Sequence, residues 1–374
     1  MPARGAASQS GTDARMNTPA DFRPEDLTAQ EVRLSLRYAA PLNIVYANNP
    51  KCACSTIKTS LWKKMDQLAG TETFHPSRVH SQAPFLNTAK MEPAQFQEFL
   101  SATTFSVVRN PFRRALSAYL DKVGADRKDQ RIWKWLCNRY GLRPDLTSNA
   151  FSFKDFLSLI NADNPMAIEP HFRPQYLNLF WRHMRWDTAA RLETGTEMTA
   201  FLSERGIAVE TVDHHKTSAA RRTGEFFDAE TIDLTRQLYQ HDFEYFGYAQ
   251  DPGQVTPNGE IVKAECDDAI YEVIAKSGQP EICDSDTPLS KFRKTAQLGK
   301  RLKVVADHAD DDLDYHTTCL FSQLAKQMRQ RGKTNVLTTD QLAELDVVME
   351  ERKACAHQRQ FGHLNQDFFV AGNA

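Results

Sequence analysis

The sequence lacks the features that would place the protein in a membrane or outside the cell. It contains no run of about 18 consecutive apolar residues, the length expected of a membrane-spanning helix. Its first 30 residues have no apolar signal-peptide segment and are rich in Ala, Ser, Thr, Gly and Pro. We therefore expect a disordered leader over residues 1–30, no integral membrane segment and a cytoplasmic location.

A cysteine framework and a strong charge of one sign are also missing. Seven cysteines at irregular spacing do not suggest a set of disulfides, so we expect reduced thiols. Cys52 and Cys54 have no second Cys or His pair at zinc-ligand spacing. The formal net charge of −2 gives no indication of nucleic acid as a partner. Any phosphate-binding site must therefore be a local cluster of basic residues.

What the sequence does contain is an alternation of strand-like and helix-like segments. Residues 43–47 (NIVYA) have the pattern of a short strand, and residues 55–65 have apolar side chains at helical spacing. Residues 104–108 (TFSVV) form a second strand before another helical segment, and residues 187–192 (DTAARL) a weaker third. This order predicts an α/β fold, a P-loop-like parallel sheet flanked by helices on both faces. Ligands of such sheets bind beyond the carboxyl ends of the strands.

The composition changes near residue 251, where turn residues become frequent. At roughly 150 residues per domain, the 374 residues suggest one large domain with an accessory piece. We expect a main domain over residues 31–250 and a mainly helical accessory region over residues 251–374.

The loop after the first strand has the composition of an anion-binding site. Its residues are Pro50, Lys51, Cys52, Ala53, Cys54, Ser55 and Thr56. The start of the following helix offers free backbone N–H groups and the positive end of the helix dipole, to which Lys51 adds a charge. The Gly-Lys-Ser/Thr core of a Walker A loop is absent. Taken alone, the loop is equally consistent with phosphate binding and with Ser55 simply capping a helix.

The loop after the second strand has a matching pattern. Arg109 follows the strand directly, and Ser117 lies eight residues further on, two turns into the next helix. A guanidinium and a hydroxyl directed at one point suit a phosphate group. Arg109 could equally form a surface salt bridge.

Together the two loops resemble the nucleotide motifs of sulfotransferases. Residues 50–56 are similar to the 5′-phosphosulfate loop, and residues 108–119 (VRNPFRRALSAY) to the 3′-phosphate motif of the carbohydrate sulfotransferase family related to the chondroitin 4-O enzymes. Three later segments also fit: residues 171–175 (HFRPQ), 191–194 (RLET) and 239–248 (YQHDFEYFGY). The resemblance covers about residues 42–248. The membrane anchor of animal members is missing, which fits a bacterial source.

The resemblance implies transfer of a sulfonate group from 3′-phosphoadenosine 5′-phosphosulfate to a hydroxyl group, without a metal. Lys51 would stabilise charge on the leaving oxygen, with Ser55 and Thr56 holding the same phosphate. Arg109 and Ser117 would hold the 3′-phosphate. The acceptor would be a glycan or a small molecule.

Two further assignments are open. A histidine is expected to accept the proton of the acceptor hydroxyl, and His80 and His171 are both candidates. We expect His80 at the end of a short strand beside the first one and His171 in the acceptor pocket, although either could instead be a structural histidine. Lys216 and Ser218 could close over the nucleotide, or lie in a surface loop.

Two other functions compete with this prediction. One is a P-loop-type phosphotransferase, which would need a carboxylate for magnesium at the strand ends. The other is a non-catalytic module that binds a glycan or nucleotide on the same fold.

Overall fold

The computed structural model describes residues 29–88, 91–124, 130–146, 150–210, 219–278 and 339–370. The amino-terminal part contains α1 (Ala29–Ser35), β1 (Leu36–Ala39), β2 (Ile44–Ala47), α2 (Cys54–Ala69), α3 (Pro93–Ser101), β3 (Thr103–Val108) and α4 (Pro111–Lys122). The central part contains α5 (Gln130–Tyr140), α6 (Phe153–Asn161), α7 (Gln175–Asn178), β4 (Thr188–Arg191) and α8 (Thr196–Ser203). The remainder consists of α9 (Ala219–Phe226), α10 (Ala229–Leu238), α11 (Gln240–Phe246), α12 (Ala269–Gly278) and α13 (Thr339–Phe361).

The four strands of the described chain form one sheet in the order β1-β2-β3-β4. β2, β3 and β4 are parallel, as predicted, and all three predicted strands are present. β1 was not predicted; it pairs antiparallel with β2 and forms one edge. Because the three parallel strands run in the same direction, the loops that follow them meet at one edge of the sheet.

Helices cover both faces of the sheet, as the alternating segments predicted. Ile44 and Tyr46 of β2 lie in a hydrophobic cluster with Ile57 and Leu61 of α2. The intervening residues of β2 point the other way and pack in a larger cluster with α4, α6 and α11. All four residues of β2 are buried, which explains a strand that is apolar throughout rather than alternating.

The chain after residue 251 contacts the main domain at several points. The indole N–H of Trp181 donates to the Val262 carbonyl (3.1 Å). Gly247 has φ of 68°, and a Cβ there would lie only 2.5 Å from the Gly259 carbonyl oxygen, so this close approach requires glycine. Residues of α12 and α13 lie in the larger hydrophobic cluster: Ile270, Ile274, Ala356 and Phe361. The division into two regions at residue 251 stays a prediction.

Candidate active site

The loop between β2 and α2 has the backbone shape of an anion-binding site. Lys51 (φ 68°) and Ala53 (φ 57°) are both left-handed, a strained conformation for residues with a side chain. Such alternation turns successive N–H groups toward one point, the arrangement called a nest. No side chain caps α2, and no acidic residue lies in its first turn. The loop and the helix end therefore present backbone donors and positive charge together.

Lys51 lies at the centre of a small charged group. Its Nζ is 3.1 Å from Oδ2 of Asp121 on α4, and Nζ of Lys122 is also 3.1 Å from that oxygen. Burial lowers the pKa of Lys51, while the neighbouring Asp121 carboxylate acts in the opposite direction. One carboxylate between two ammonium groups leaves a net positive charge beside the loop, which suits an anionic ligand.

The second predicted loop contacts the first directly. Nη1 of Arg109 donates to the Lys51 carbonyl (3.1 Å). The Asn110 side chain accepts from the Arg113 N–H and so caps α4, with Pro111 in the first turn. The two motifs therefore meet at the carboxyl ends of β2 and β3, the edge at which ligands of such sheets are expected to bind.

Ser117 also faces the first loop. Arg114, Ser117 and Asp121 lie at positions i, i+3 and i+7 of α4, which places them on one side of the helix. The outer two both contact residues 50–51, Arg114 through the Pro50 carbonyl and Asp121 through Lys51. Ser117 lies between them and is buried. The structure thus brings Lys51, Ser55, Thr56, Arg109 and Ser117 to one region.

Arg114 fixes the position of the first loop. Its side chain is fully buried and donates to three carbonyls, those of Pro50 (3.1 Å), Arg173 (2.8 Å) and Pro170 (3.0 Å). It therefore ties the loop after β2 to the segment before α7. Arg114 belongs to the second motif, residues 108–119, but the motif alone predicts no role for it.

Replacing Arg114 by methionine is expected to lower the free energy of unfolding by about 2–6 kcal/mol, because the buried carbonyls of Pro50 and Arg173 each lose a partner at about 1–3 kcal/mol. The Pro170 carbonyl keeps its hydrogen bond from the Asn178 side chain. Chemical denaturation measures this difference. The matched control is Arg113→Met on the same helix, where the buried Nε has no hydrogen-bond partner. Equal losses in the two variants would show that the carbonyls of Pro50 and Arg173 do not depend on Arg114.

Gln175 joins the two loops from behind. Its Oε1 accepts from the Asn49 side chain (3.0 Å) and from the Arg109 N–H (2.9 Å), and its Nε2 donates to the Arg109 carbonyl (2.8 Å). Asp242 accepts from the backbone N–H groups of Gln175 (2.8 Å) and Tyr176 (2.9 Å). Burial raises the pKa of Asp242 to about 6, although the Arg114 cation and these hydrogen bonds act to lower it.

Glu193 supports the second loop in the same way. Its Oε1 accepts from the Asn110 N–H (3.0 Å), and its Oε2 accepts from the Tyr248 hydroxyl (2.7 Å). The Tyr239 hydroxyl donates to the Phe172 carbonyl (2.6 Å). Residues of the three later segments, 171–175, 191–194 and 239–248, therefore hold the two loops in place through buried and partly buried hydrogen bonds.

His80 lies beside the first loop, but the strand predicted for it is wrong. It belongs to a turn that follows the single 3-10 turn Pro76–Arg78. The N–H groups of Ser81 and Gln82 both donate to the Arg78 carbonyl, so this backbone folds on itself and does not pair with a strand. Its exposed ring lies 2.9 Å from Ser55 Oγ through Nε2 and 2.7 Å from Lys58 Nζ through Nδ1.

His171 has a different environment. Its Nδ1 is 2.9 Å from Oε1 of Glu169, and the side chain is 28% exposed. The hydrogen bonds of Arg114 to Pro170 and Arg173 connect its segment to the first loop. The ring itself contacts Glu169 rather than the loop, which makes His80 the histidine closer to the predicted chemistry. Lys216 and Ser218 lie outside the described residues.

The remaining features concern thiols, metals and membranes. Cys52, Cys54, Cys137, Cys266 and Cys355 are free thiols. Burial raises the pKa of Cys52 to about 12, so its thiol is not a nucleophile at neutral pH. Across the described ranges, no group of three or more His, Cys, Asp and Glu side chains could hold a metal ion. No helix in those same ranges is long and apolar enough to span a bilayer.

The sequence alone did not predict a role for several residues of the site. Asp121 and Lys58 lie on predicted helices but pair with residues 70 and 22 positions away, so no local pattern identifies them. Gln175, Asp242 and Glu193 were quoted in the three later segments without a role. The only sequence signal for these three residues was that they lie in segments that fit the same family resemblance as the two loops.

Comparison with known proteins agrees with this geometry. The chain belongs to the Sulfotransferase family, whose family model matches residues 35–249. Carbohydrate sulfotransferase 14 from Homo sapiens is 30% identical over 166 residues, which cover 41% of this chain and 42% of that protein. The Mus musculus protein of the same name is 28% identical over 161 residues, with the same shares covered. These relatives confirm the predicted resemblance to carbohydrate sulfotransferases.

The match to these relatives is partial. The aligned segment spans about two fifths of their length (42%). The comparison with solved structures gave no match.

Proposed function

We propose that the protein transfers the sulfonate group of 3′-phosphoadenosine 5′-phosphosulfate to a hydroxyl group of a carbohydrate. The observation that carries this proposal is the contact between the two loops, in which Arg109 donates to the Lys51 carbonyl at the carboxyl ends of β2 and β3. Membership of the Sulfotransferase family supports the reaction class. The names of the relatives support a carbohydrate as acceptor.

The residues at this edge fit the donor. Its 5′-phosphosulfate would be held by the backbone N–H groups of the loop Pro50–Thr56, by Lys51 and by the hydroxyls of Ser55 and Thr56. The left-handed residues Lys51 and Ala53 and the uncapped start of α2 favour an anion at this point. Arg109 and Ser117 would hold the 3′-phosphate. Lys216 and Ser218 remain candidates for closing the nucleotide site.

Two side chains would act on the reacting groups. The donor supplies an activated sulfonate whose leaving group is a phosphate oxygen. The Lys51 ammonium would stabilise negative charge on that oxygen as it develops, an interaction stronger in the transition state than in the ground state. His80 would accept the proton of the attacking hydroxyl at Nε2, which now lies 2.9 Å from Ser55 Oγ. His171 would contact the acceptor.

The two competing functions are less well supported. The family is that of sulfotransferases, not of P-loop phosphotransferases. A non-catalytic module would not need Lys51 and His80 beside one uncapped helix start. The transfer experiment below distinguishes a carbohydrate acceptor from a small-molecule acceptor.

Adenosine 3′,5′-bisphosphate is expected to raise the melting temperature far more than adenosine 5′-phosphate, because only the former places a phosphate on Arg109 and Ser117. At about 100 times the dissociation constant, the ligand adds about 2.7 kcal/mol to the free energy of unfolding. Arg109→Ala should remove the difference between the two nucleotides. Equal stabilisation of the unaltered protein by both would contradict a 3′-phosphate site, and a larger shift with ATP and magnesium would support a phosphotransferase.

Sulfonate transfer itself is tested with labelled donor. The protein is incubated with the donor and a panel of sugars, oligosaccharides and small hydroxyl compounds, and products are identified by mass spectrometry. A sulfated sugar supports the proposal. Donor binding without a sulfated product across the panel would favour the non-catalytic alternative, and a sulfated small molecule alone would change the acceptor class.

A further inference from the structure

Both nitrogens of the His80 ring are held by one face of α2. Nε2 lies 2.9 Å from Ser55 Oγ, and Nδ1 lies 2.7 Å from Lys58 Nζ. Ser55 and Lys58 are three residues apart, so their side chains are neighbours on the helix surface. The ring lies across this pair, and these two contacts with α2 hold both of its nitrogens.

Lys58 is an unusual partner for a histidine. Its side chain is buried (3% exposed), and no ion pair among the described residues includes it. Burial lowers the pKa of Lys58 to about 8; the Cys54 thiol on its own helix raises this pKa, and the Arg37 cation on β1 lowers it further. An ammonium and an amine are therefore both accessible forms of Lys58 between pH 7 and 9, an interval set by that value of about 8.

The two forms of Lys58 require opposite tautomers of His80. An ammonium has only donors, so it needs a lone pair on Nδ1, and the ring then carries its proton on Nε2. An amine can accept, so Nδ1–H can donate to it, and Nε2 is then bare. Only the second arrangement leaves Nε2 able to accept a proton from an attacking hydroxyl.

We propose that Lys58 is the positioning residue of His80 and that the two side chains accept the proton as one pair. This inference rests on the proposed function, in which His80 is the base. The acceptor hydroxyl replaces Ser55 Oγ at Nε2 and transfers its proton there as its oxygen forms the bond to sulfur. The bond from sulfur to the phosphate oxygen of the donor breaks in the same step, and adenosine 3′,5′-bisphosphate leaves with that electron pair. The proton on Nδ1 passes to the Lys58 amine, which becomes an ammonium. The product state is His80 protonated on Nε2 beside charged Lys58. Loss of the Nε2 proton to water and return of the Lys58 proton to Nδ1 restore the pair.

The tautomer can be observed without any substrate. Nitrogen-15 NMR of imidazole-labelled full-length protein reports which ring nitrogen carries the proton, and a His80→Gln variant identifies the signal among the 11 histidines. We expect the Nε2–H form at pH 7 and the Nδ1–H form at pH 9, with a midpoint near the Lys58 pKa of about 8. One unchanged tautomer across this range would overturn the proposal, even if the protein is an active sulfotransferase.

Kinetics of two Lys58 variants give an independent test. In Lys58→Met the acidic limb of the kcat profile should move from near pH 8, the Lys58 value, toward about 6.5, the usual histidine value. In Lys58→Arg the guanidinium stays charged and holds the proton on Nε2, so kcat should fall by about 100-fold or more at every pH. The methionine variant should therefore be the more active of the two. Lys63→Met, an exposed lysine on the same helix, is the control and should behave as the unaltered protein.

A merely structural cation at position 58 gives the opposite order. Arginine would then preserve more activity than methionine, and the acidic limb would stay where it is in both variants. Melting temperatures and donor affinity, measured for each variant, separate misfolding from the predicted change. Absence of sulfonate transfer in the unaltered protein would reject the proposed function, while the NMR titration would still decide whether Lys58 sets the His80 tautomer.

Discussion

Replacing His80 by glutamine is expected to lower kcat by about 100- to 10,000-fold, the usual contribution of a general base. Nε2 of His80 lies 2.9 Å from Ser55 Oγ, next to the predicted phosphosulfate loop, and glutamine offers no basic nitrogen at this point. Donor affinity should be unchanged because His80 does not hold a phosphate. The acidic limb of the pH profile should disappear, because the variant has no ring nitrogen whose protonation limits the rate. Steady-state kinetics between about pH 5.5 and 9.5, a range that includes the usual histidine pKa of about 6.5 and the Lys58 pKa of about 8, measure all three effects.

Two other histidines serve as comparisons. His171→Gln should raise the acceptor KM more than it lowers kcat, because its ring contacts Glu169 and is placed at the acceptor side. His75→Gln should change neither, since this exposed ring contacts only Ser77 of its own turn in the hydrogen bonds that the structure describes. If the phenotypes of His80 and His171 are reversed, His171 is the base. Full activity in both variants would mean that the acceptor proton leaves by another route.

Replacing Lys51 by alanine is expected to lower kcat by about 100- to 1,000-fold while donor binding stays measurable. The ammonium stabilises the leaving oxygen mainly in the transition state, so its loss falls on kcat rather than on the donor KM. The remaining donor contacts, namely the backbone N–H groups, Arg109 and Ser117, are unaltered. Rapid measurement of product formation together with calorimetric donor titration checks the separation of these two effects.

The matched control for Lys51 is an exposed lysine. Lys63→Ala removes an ammonium that pairs with Glu210 on the surface, and such pairs contribute little. It should leave kcat and donor affinity unchanged. A Lys51→Ala variant that binds donor much more weakly but turns over normally would show that Lys51 contributes to ground-state binding, and the charge on the leaving oxygen would then have another stabiliser.

The sequence by itself determined the strands, the helices that follow them and the two loops. Residues 43–47 and 104–108 are apolar enough to be buried on both sides, whereas residues 187–192 form a weaker, mostly half-buried strand. Each of these local patterns is independent of the rest of the chain. Lys51 and Arg109 follow such strands directly. Because parallel strands end at one edge, their meeting could be predicted before the structure was known. The antiparallel strand β1 could not be predicted, because its four residues show neither the alternation nor the apolar run typical of a strand.

Only the tertiary structure decided which side chains act on these loops. The hydrogen bond from Asn49 to Gln175 joins residues 126 positions apart, and that between Lys51 and Asp121 joins residues 70 apart. His80 was predicted near the first loop but on a strand, whereas a turn places its ring between Ser55 and Lys58. The physical reason is that periodicity and turn chemistry depend on residues a few positions apart. The partner of a buried polar group depends instead on how the helices pack over the sheet, and that is how Arg114 and Lys58 acquired their positions beside the site.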